Sequence, residues 1–313
     1  MKKNNKILIL GGGGYIGVKL CKYLYEKKYN ITCLDTFWYG NFLDKNIKVI
    51  KDNIISFDLK ILKKFDVVIN LAYLSNDPSC EIDPKLTWNY GPLACNRIAD
   101  GCLQFGVKKL IFASSGSIYG LKKEKKVTEE LGLDPLTEYN KSKHICEKVL
   151  ESYEKKLKIA IIRPATVCGF SPRMRFDIVL NIFCKQAFFD KKIKIFGGKQ
   201  FRPLVHIDDM VRCYYFLIKN INITGTYNLG FENKSVLQLS KDVQRIIPCK
   251  LEIKKSNDIR SYRISSEKII NKGFFPVKNH LHAIEDIKKA FENGFVPTEQ
   301  NTNLIWLKRK KKL

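Results

Sequence analysis

The apolar run Lys6-Ile7-Leu8-Ile9-Leu10 breaks at once into Gly11-Gly12-Gly13-Gly14-Tyr15-Ile16-Gly17, and no other segment constrains the fold as strongly. A short uninterrupted apolar run reads as a strand buried on both faces, the habit of parallel sheets. Gly11, Gly14 and Gly17 then form a G-x-x-G-x-x-G series. The first permits a tight turn, the second lets backbone approach a pyrophosphate, and the third lets a helix pack closely on the strand. A helix over residues 16–27 would aim its unbonded N–H groups and the positive end of its dipole at phosphate. The next strand, residues 31–34, ends at Asp35, about 20 residues beyond the glycines, where a carboxylate accepts hydrogen bonds from an adenosine ribose. Strand, glycines, helix, strand and acid in this order predict a dinucleotide site. Asp35 would repel a 2′-phosphate, which favours NAD over NADP.

The alternation continues. Strands are predicted at 47–50, 67–71, 110–113 and 159–162, with helices at 84–105 and 139–155. That rhythm predicts an α/β fold: a Rossmann-type, doubly wound parallel sheet with right-handed crossovers. Beyond Pro164 glycines and prolines interrupt it; helical segments follow at 176–189 and 207–219, and 227–230 reads as one more strand. The chain is therefore divided into a dinucleotide-binding domain (1–166, with a returning segment near 204–232), a smaller α/β substrate-binding lobe (167–203 and 233–300) and a basic C-terminal tail (301–313).

Composition excludes several alternatives. The ten cysteines are scattered and none forms a C-x-x-C pair, which predicts reduced, buried thiols and a cytoplasmic protein. The four histidines are not spaced with cysteines, so no metal site is expected. No apolar run approaches membrane-spanning length, and the first strand follows the N-terminus too closely to leave room for a cleaved signal. The net charge of +25 admits a nucleic-acid binder. Because lysine is spread over every predicted surface, and only 308–312 is a basic block, nucleic acid is disfavoured. The charge still draws in an anionic substrate.

The strand at 110–113 runs into Ser114-Ser115-Gly116-Ser117-Ile118-Tyr119-Gly120, a serine cluster at the carboxyl end of a strand, where open α/β sheets bind ligands. Tyr139 and Lys143 then fall one turn apart on one helix face. An ammonium beside a phenol favours phenolate, as does the positive ring of an oxidised nicotinamide, and this predicts a tyrosine usable as a base near neutral pH.

With these residues in place the chain resembles the extended short-chain dehydrogenase/reductases, specifically the nucleotide-sugar epimerase/dehydratase branch. The resemblance spans roughly residues 6–295. It rests on GGGGYIG at 11–17, Asp35, NLAY at 70–73, FASSGSIYG at 112–120, YNKSK at 139–143, IIRPATVCG at 161–169 and FRPLVHIDD at 201–209. It implies Ser115, Tyr139 and Lys143 as the catalytic set, with Ser115 holding a sugar hydroxyl beside Tyr139. It implies cofactor contacts at Gly11, Gly14, Tyr15, Ile16, Gly17, Asp35, Leu71, Ala72, Asn89, Tyr139, Lys143 and Pro164. An adenine-side contact falls on the segment Asp52-Asn53-Ile54, offset by one, with Asn53 the expected residue. Substrate contacts are expected from Ser117, Arg173, Arg175, Arg202 and Arg260. Arg202 would meet the diphosphate, while Arg173 and Arg175 either touch substrate or brace loops. His206, Asp208 and Asp209 begin a helix and are read as capping or tethering groups.

Dehydratases of this branch place Asp-Glu after the catalytic Ser/Thr; this chain has Gly116-Ser117, which disfavours water elimination. The resemblance then implies 4-epimerisation of a nucleoside-diphosphate hexose through a transient 4-ketone, with Tyr139 taking and returning the 4-hydroxyl proton. A 4-dehydrogenase or 4-keto reductase would use the same residues. A non-catalytic NAD-sensing or RNA-binding member of the fold is opposed by the intact Ser115, Tyr139 and Lys143. By the same resemblance the protein is expected to be a homodimer.

Overall fold

The computed structural model describes residues 5–255 and 261–310. In chain order the strands are β1 (Lys6–Leu10), β2 (Asn30–Asp35), β3 (Lys48–Lys51), β4 (Val67–Asn70), β5 (Lys109–Ala113), β6 (Ile159–Pro164), β7 (Thr166–Cys168), β8 (Lys192–Phe196), β9 (Phe201–His206), β10 (Gly225–Leu229), β11 (Glu232–Ser235) and β12 (Lys250–Lys254). Seven form one parallel sheet in the order β10-β6-β5-β4-β1-β2-β3. Strand order reverses between β1 and β4, which opens a crevice at their carboxyl ends.

The sheet is covered on both faces, as its apolar strands require. Leu8, Leu10, Val68, Leu110 and Phe112 meet Ile98 and Cys102 of helix Ala94–Gln104 and Cys146 and Leu150 of helix Glu138–Glu151. The alternate residues Ile7, Ile9, Cys33, Ile69 and Ile111 meet Leu20 and Leu24 of helix Tyr15–Glu26 and Met210, Tyr214 and Leu217 of helix Ile207–Lys219. This second core runs on without a break into Leu180, Val243 and Ile287. There a three-stranded sheet (β11-β9-β7), the β12–β8 pair and helices Val179–Lys185, Val236–Ile246 and His280–Glu292 build the remainder.

Three expectations are corrected. The helix expected over 84–105 is broken: Pro84–Trp88 and Ala94–Gln104 are joined by a wide turn kinked at Gly91 (φ −90°, ψ −107°), because Pro92 lacks an N–H and crowds the residue before it. The helix expected over 176–189 is trimmed to Val179–Lys185, followed by a wide turn that ends at the left-handed Lys191 (φ +51°). Within the supposed tail, Asn303–Lys310 is a helix whose Leu307 joins the core. All ten cysteines are unpaired, nine of them buried. Among the described residues no helix is long and apolar enough to cross a membrane.

His280 fastens the smaller part together. It is 3% exposed, with Nδ1 2.6 Å from Glu232 Oε1 and Nε2 2.8 Å from Asp242 Oδ2. Burial alone would depress the imidazolium, but the two carboxylates outweigh it and hold the pKa above the ordinary value. The Glu232 carboxyl, conversely, is held below its usual range by His280 despite burial. The histidine's contribution is therefore complete below pH ~6.5 and is lost as pH rises through its raised folded value. That of Glu232 is complete above pH ~4.3 and is lost as pH falls through its lowered one. His280→Gln is expected to cost about 1–3 kcal/mol near pH 6. It should also abolish the decline in melting temperature above neutrality, a difference that scanning calorimetry across pH would read.

Candidate active site

The glycine turn is built as its spacing predicts. Gly11 adopts φ +80°, and its N–H donates to Leu34 O at 2.8 Å, turning the chain off β1. A Cβ at Gly11 would lie 2.5 Å from Ala72 N, and one at Gly17 would lie 2.4 Å from Gly11 O. Both positions therefore demand glycine. Helix Tyr15–Glu26 starts at Gly14 with no side-chain cap and no acid in its first turn, so its leading N–H groups remain available to an anion. At the end of β2, Asp35 accepts from Gly13 N at 2.9 Å and from Phe37 N at 2.7 Å. Burial raises its pKa, and these two bonds partly offset that.

These groups line one cavity together with Ile16, Leu71, Ala72, Asp52, Trp38, Tyr39 and Tyr90. Two expected contacts are displaced by one residue: Asp52 and Tyr90 line the cavity, whereas Asn53 and Asn89 line neither cavity of the site. Asn53 accepts from Ile55 N at 3.0 Å, and Asn89 lies in the turn that is kinked at Gly91. Tyr15 lines the cavity, but its hydroxyl is engaged elsewhere. It donates to Gly169 O at 2.6 Å and accepts from Asn181 Nδ2 at 3.2 Å, tying the glycine turn to the segment after β7.

A second cavity adjoins the first and is lined by Ser115, Ser117, Asn140, Pro164, Arg202 and Tyr262, with Arg175 lining both. The Ser115 side chain faces the Tyr139 phenol and favours its ionised form. Ser115 Oγ lies 2.7 Å from Ser117 Oγ, which in turn donates to Asn140 Oδ1. Lys143 Nζ donates to Ala113 O at 2.5 Å and sits 3.5 Å above the Tyr73 ring, whose edge meets Tyr139 with centroids 5.7 Å apart. Tyr139 thus reaches the second cavity through Ser115, and Lys143 reaches the first through Ala113, which lines it.

Lys143 Nζ is 6.0 Å from the Tyr139 ring centre, and burial dominates, raising the phenol above its ordinary value against the influence of Ser115. Burial likewise lowers Lys143 to about 8. The lysine alone does not offset that burial, so ionising the tyrosine takes a second cation beside it, the part expected of oxidised nicotinamide.

The arginines divide. Arg202 lines the second cavity as expected. Arg175 forms a paired contact with Asp177 (3.0 and 3.1 Å) at the junction of the cavities. Arg173, expected at the substrate, lines the first cavity. Arg260 lies outside the described residues. His206 caps helix Ile207–Lys219 through Nδ1, and Asp209 tethers Val277 N and Lys278 N, the roles expected of them. Trp38, Tyr39, Tyr73 and Asn303 were not legible as site residues, since no spacing marks a loop aromatic or a distant asparagine as neighbours of a glycine turn.

The NAD dependent epimerase/dehydratase family matches residues 7–230. An uncharacterized UDP-glucose epimerase of Bacillus subtilis, YtcB, is 32% identical over 263 residues, 77% of this chain and 82% of that one. A UDP-glucose 4-epimerase of Lactobacillus helveticus is 26% identical over 294 residues, 84% and 89% of the two chains. The crystal structure of the UDP-glucuronic acid 4-epimerase of Bacillus cereus, in complex with UDP-glucuronic acid and NAD, superposes with a TM-score of 0.84 at 25% identity, over 93% of this chain and all of that one.

Proposed function

This chain belongs to the NAD dependent epimerase/dehydratase family, and on that premise we propose that it inverts C4 of a nucleoside-diphosphate sugar. The observation that carries the reading is Ser115, which lines the second of two adjoining cavities and faces Tyr139, with Lys143 anchored to Ala113 of the first. The residues present fit a dinucleotide: glycine backbone that a Cβ would obstruct, an uncapped helix start, and a half-buried acid lining the cavity for a ribose. When bound, NAD supplies reversible hydride transfer at the sugar carbon.

The protein's own part is to hold and move a proton. Ser115 fixes the sugar hydroxyl against Tyr139, and Tyr139 withdraws its proton as the carbon is oxidised. The positive charge of oxidised nicotinamide is the second cation that Lys143 alone does not replace. Arg202 supports a diphosphate grip, its guanidinium suited to phosphate oxygens, so that the sugar can turn over while its anchor stays fixed. Tyr139 then returns the proton on the other face. The acids lining the second cavity are already engaged, Asp77 by Thr137 and Asp177 by Arg175 and Asn76. That supports epimerisation over dehydration, which needs a free acid and base.

Incubation with UDP-, GDP-, CDP- and dTDP-hexoses tests the reading. The expected result is a 4-epimer of one of them with no net change in nicotinamide absorbance. Accumulation of a 4-ketone with stoichiometric reduction would make the protein a 4-dehydrogenase. A homodimer in the cytoplasm fits the same reading, and the exposed Leu93 and Ile145, on the two helical segments expected to pair, support it.

A further inference from the structure

The C-terminal segment is folded onto the dinucleotide cavity. A turn, Glu299–Asn301, leads into helix Asn303–Lys310. Asn301 O accepts from Phe176 N at 2.8 Å, and Asn303 Nδ2 donates to Ser75 Oγ at 2.8 Å. Trp306 stacks on Trp38 with ring centroids 5.0 Å apart at 18°, and also leans on Tyr39. Trp38, Tyr39, Ser75 and Asn303 all line the cavity, so the segment forms part of its wall.

Arg173 stands at the same wall. It is 1% exposed, and its guanidinium lies 4.0 Å above the Tyr39 ring. Nη2 donates to Asn303 Oδ1 and Nη1 to Met174 O at 3.3 Å, while the buried Nε has no hydrogen-bond partner. Among the described residues no carboxylate forms an ion pair with it. A buried guanidinium held by an amide, a carbonyl and a ring, and never neutralised, is unfavourable until an anion reaches it. The uncapped helix start lines the same cavity and is suited to the same charge.

We propose that Arg173 is a phosphate contact of the dinucleotide, and that residues 298–310 are the clamp that orients it and closes the cavity over the bound nucleotide. This rests on the dinucleotide reading above. The clamp would retain the cofactor through successive turnovers, as a reaction that regenerates it requires.

Titration calorimetry on the nucleotide-free full chain with adenosine, ADP and NAD tests the proposal. For the unaltered protein ADP and NAD should bind more tightly than adenosine. Arg173→Gln is expected to weaken ADP and NAD by about 10- to 100-fold and leave adenosine unchanged. Asn303→Ala should produce a smaller loss of the same pattern, about 3- to 10-fold. Arg173→Lys, which keeps the charge but loses the fork, should fall between wild type and Arg173→Gln. Equal losses for adenosine and ADP would overturn the proposal by reducing Arg173 to a brace. Unchanged affinities would overturn it too. Failure of the unaltered protein to bind any of the three would instead overturn the dinucleotide reading itself.

Discussion

Tyr139→Phe is expected to lower turnover of the sugar nucleotide by about 10²- to 10⁴-fold, the range over which a positioned acid–base group acts. Affinity for NAD should stay near that of the unaltered protein. The substitution removes only the phenol oxygen that Ser115 faces, while the Lys143–Ala113 bond, the Tyr73–Lys143 stack and the glycine turn do not depend on it. Because burial raises the free phenol, the protein without cofactor keeps Tyr139 neutral at pH 7. The rate limb at low pH therefore reports ionisation in the cofactor-loaded enzyme, and Tyr139→Phe should erase that limb. Ser115→Ala should cost a comparable factor, and the double variant little more than either alone, since the two groups act on one proton. Epimer formation from a labelled substrate, followed from pH 5.5 to 9, measures all of this. Retention of more than a tenth of the activity in Tyr139→Phe would remove the centre of the proposed mechanism.

That much could be written from sequence because the signals are local. Gly11, Gly17 and Asp35 declare themselves through backbone geometry and strand ends, and Tyr139 and Lys143 through helical spacing. What was missed depends on distance or on a single residue of register. Near the kink at Gly91 the cavity is lined by Tyr90 and not Asn89, and after β3 by Asp52 in place of Asn53. Arg173 and Asn303 are separated by most of the substrate lobe, so nothing in the spelling of SPRMR reveals which cavity it enters. The C-terminal basic block reads as a solvated tail because its charges mask Trp306 and Leu307, which do the packing. Spacing places an ammonium near the Tyr139 phenol, but only packing shows that Lys143 is buried with Nζ 6.0 Å from the ring centre.

Glu147→Ala is expected to be the most destabilising single change in the scaffold under the site. Glu147 is fully buried, taking Arg163 Nη2 at 2.6 Å and Nε at 3.1 and 3.2 Å, along with the Ser114 hydroxyl. Arg163 continues to Tyr119 Oη at 2.7 Å, and Tyr119 donates to Asn228 Oδ1 at 2.8 Å. The chain of contacts therefore joins helix Glu138–Glu151, the end of β5, β6 and β10 next to Ser115. Burial would lower the guanidinium's pKa, but Glu147 reverses this and holds it above the ordinary value. A guanidinium is too basic to lose its proton in a protein, so Arg163 keeps its charge when the partner is removed. Removing the carboxylate strands that charge, at a cost of about 3–5 kcal/mol. In urea this should shift the unfolding midpoint by more than about 1 M. Glu147→Gln should cost less, because the amide can still accept one of the bonds. The double variant Glu147→Leu/Arg163→Met should recover much of the loss, since no unpaired charge is left buried. Its stability should return while activity stays low, because Ser114, and with it the register of Ser115, would lose its anchor. A double variant no more stable than Glu147→Ala would mean that packing around Tyr119, and not the stranded charge, sets the cost.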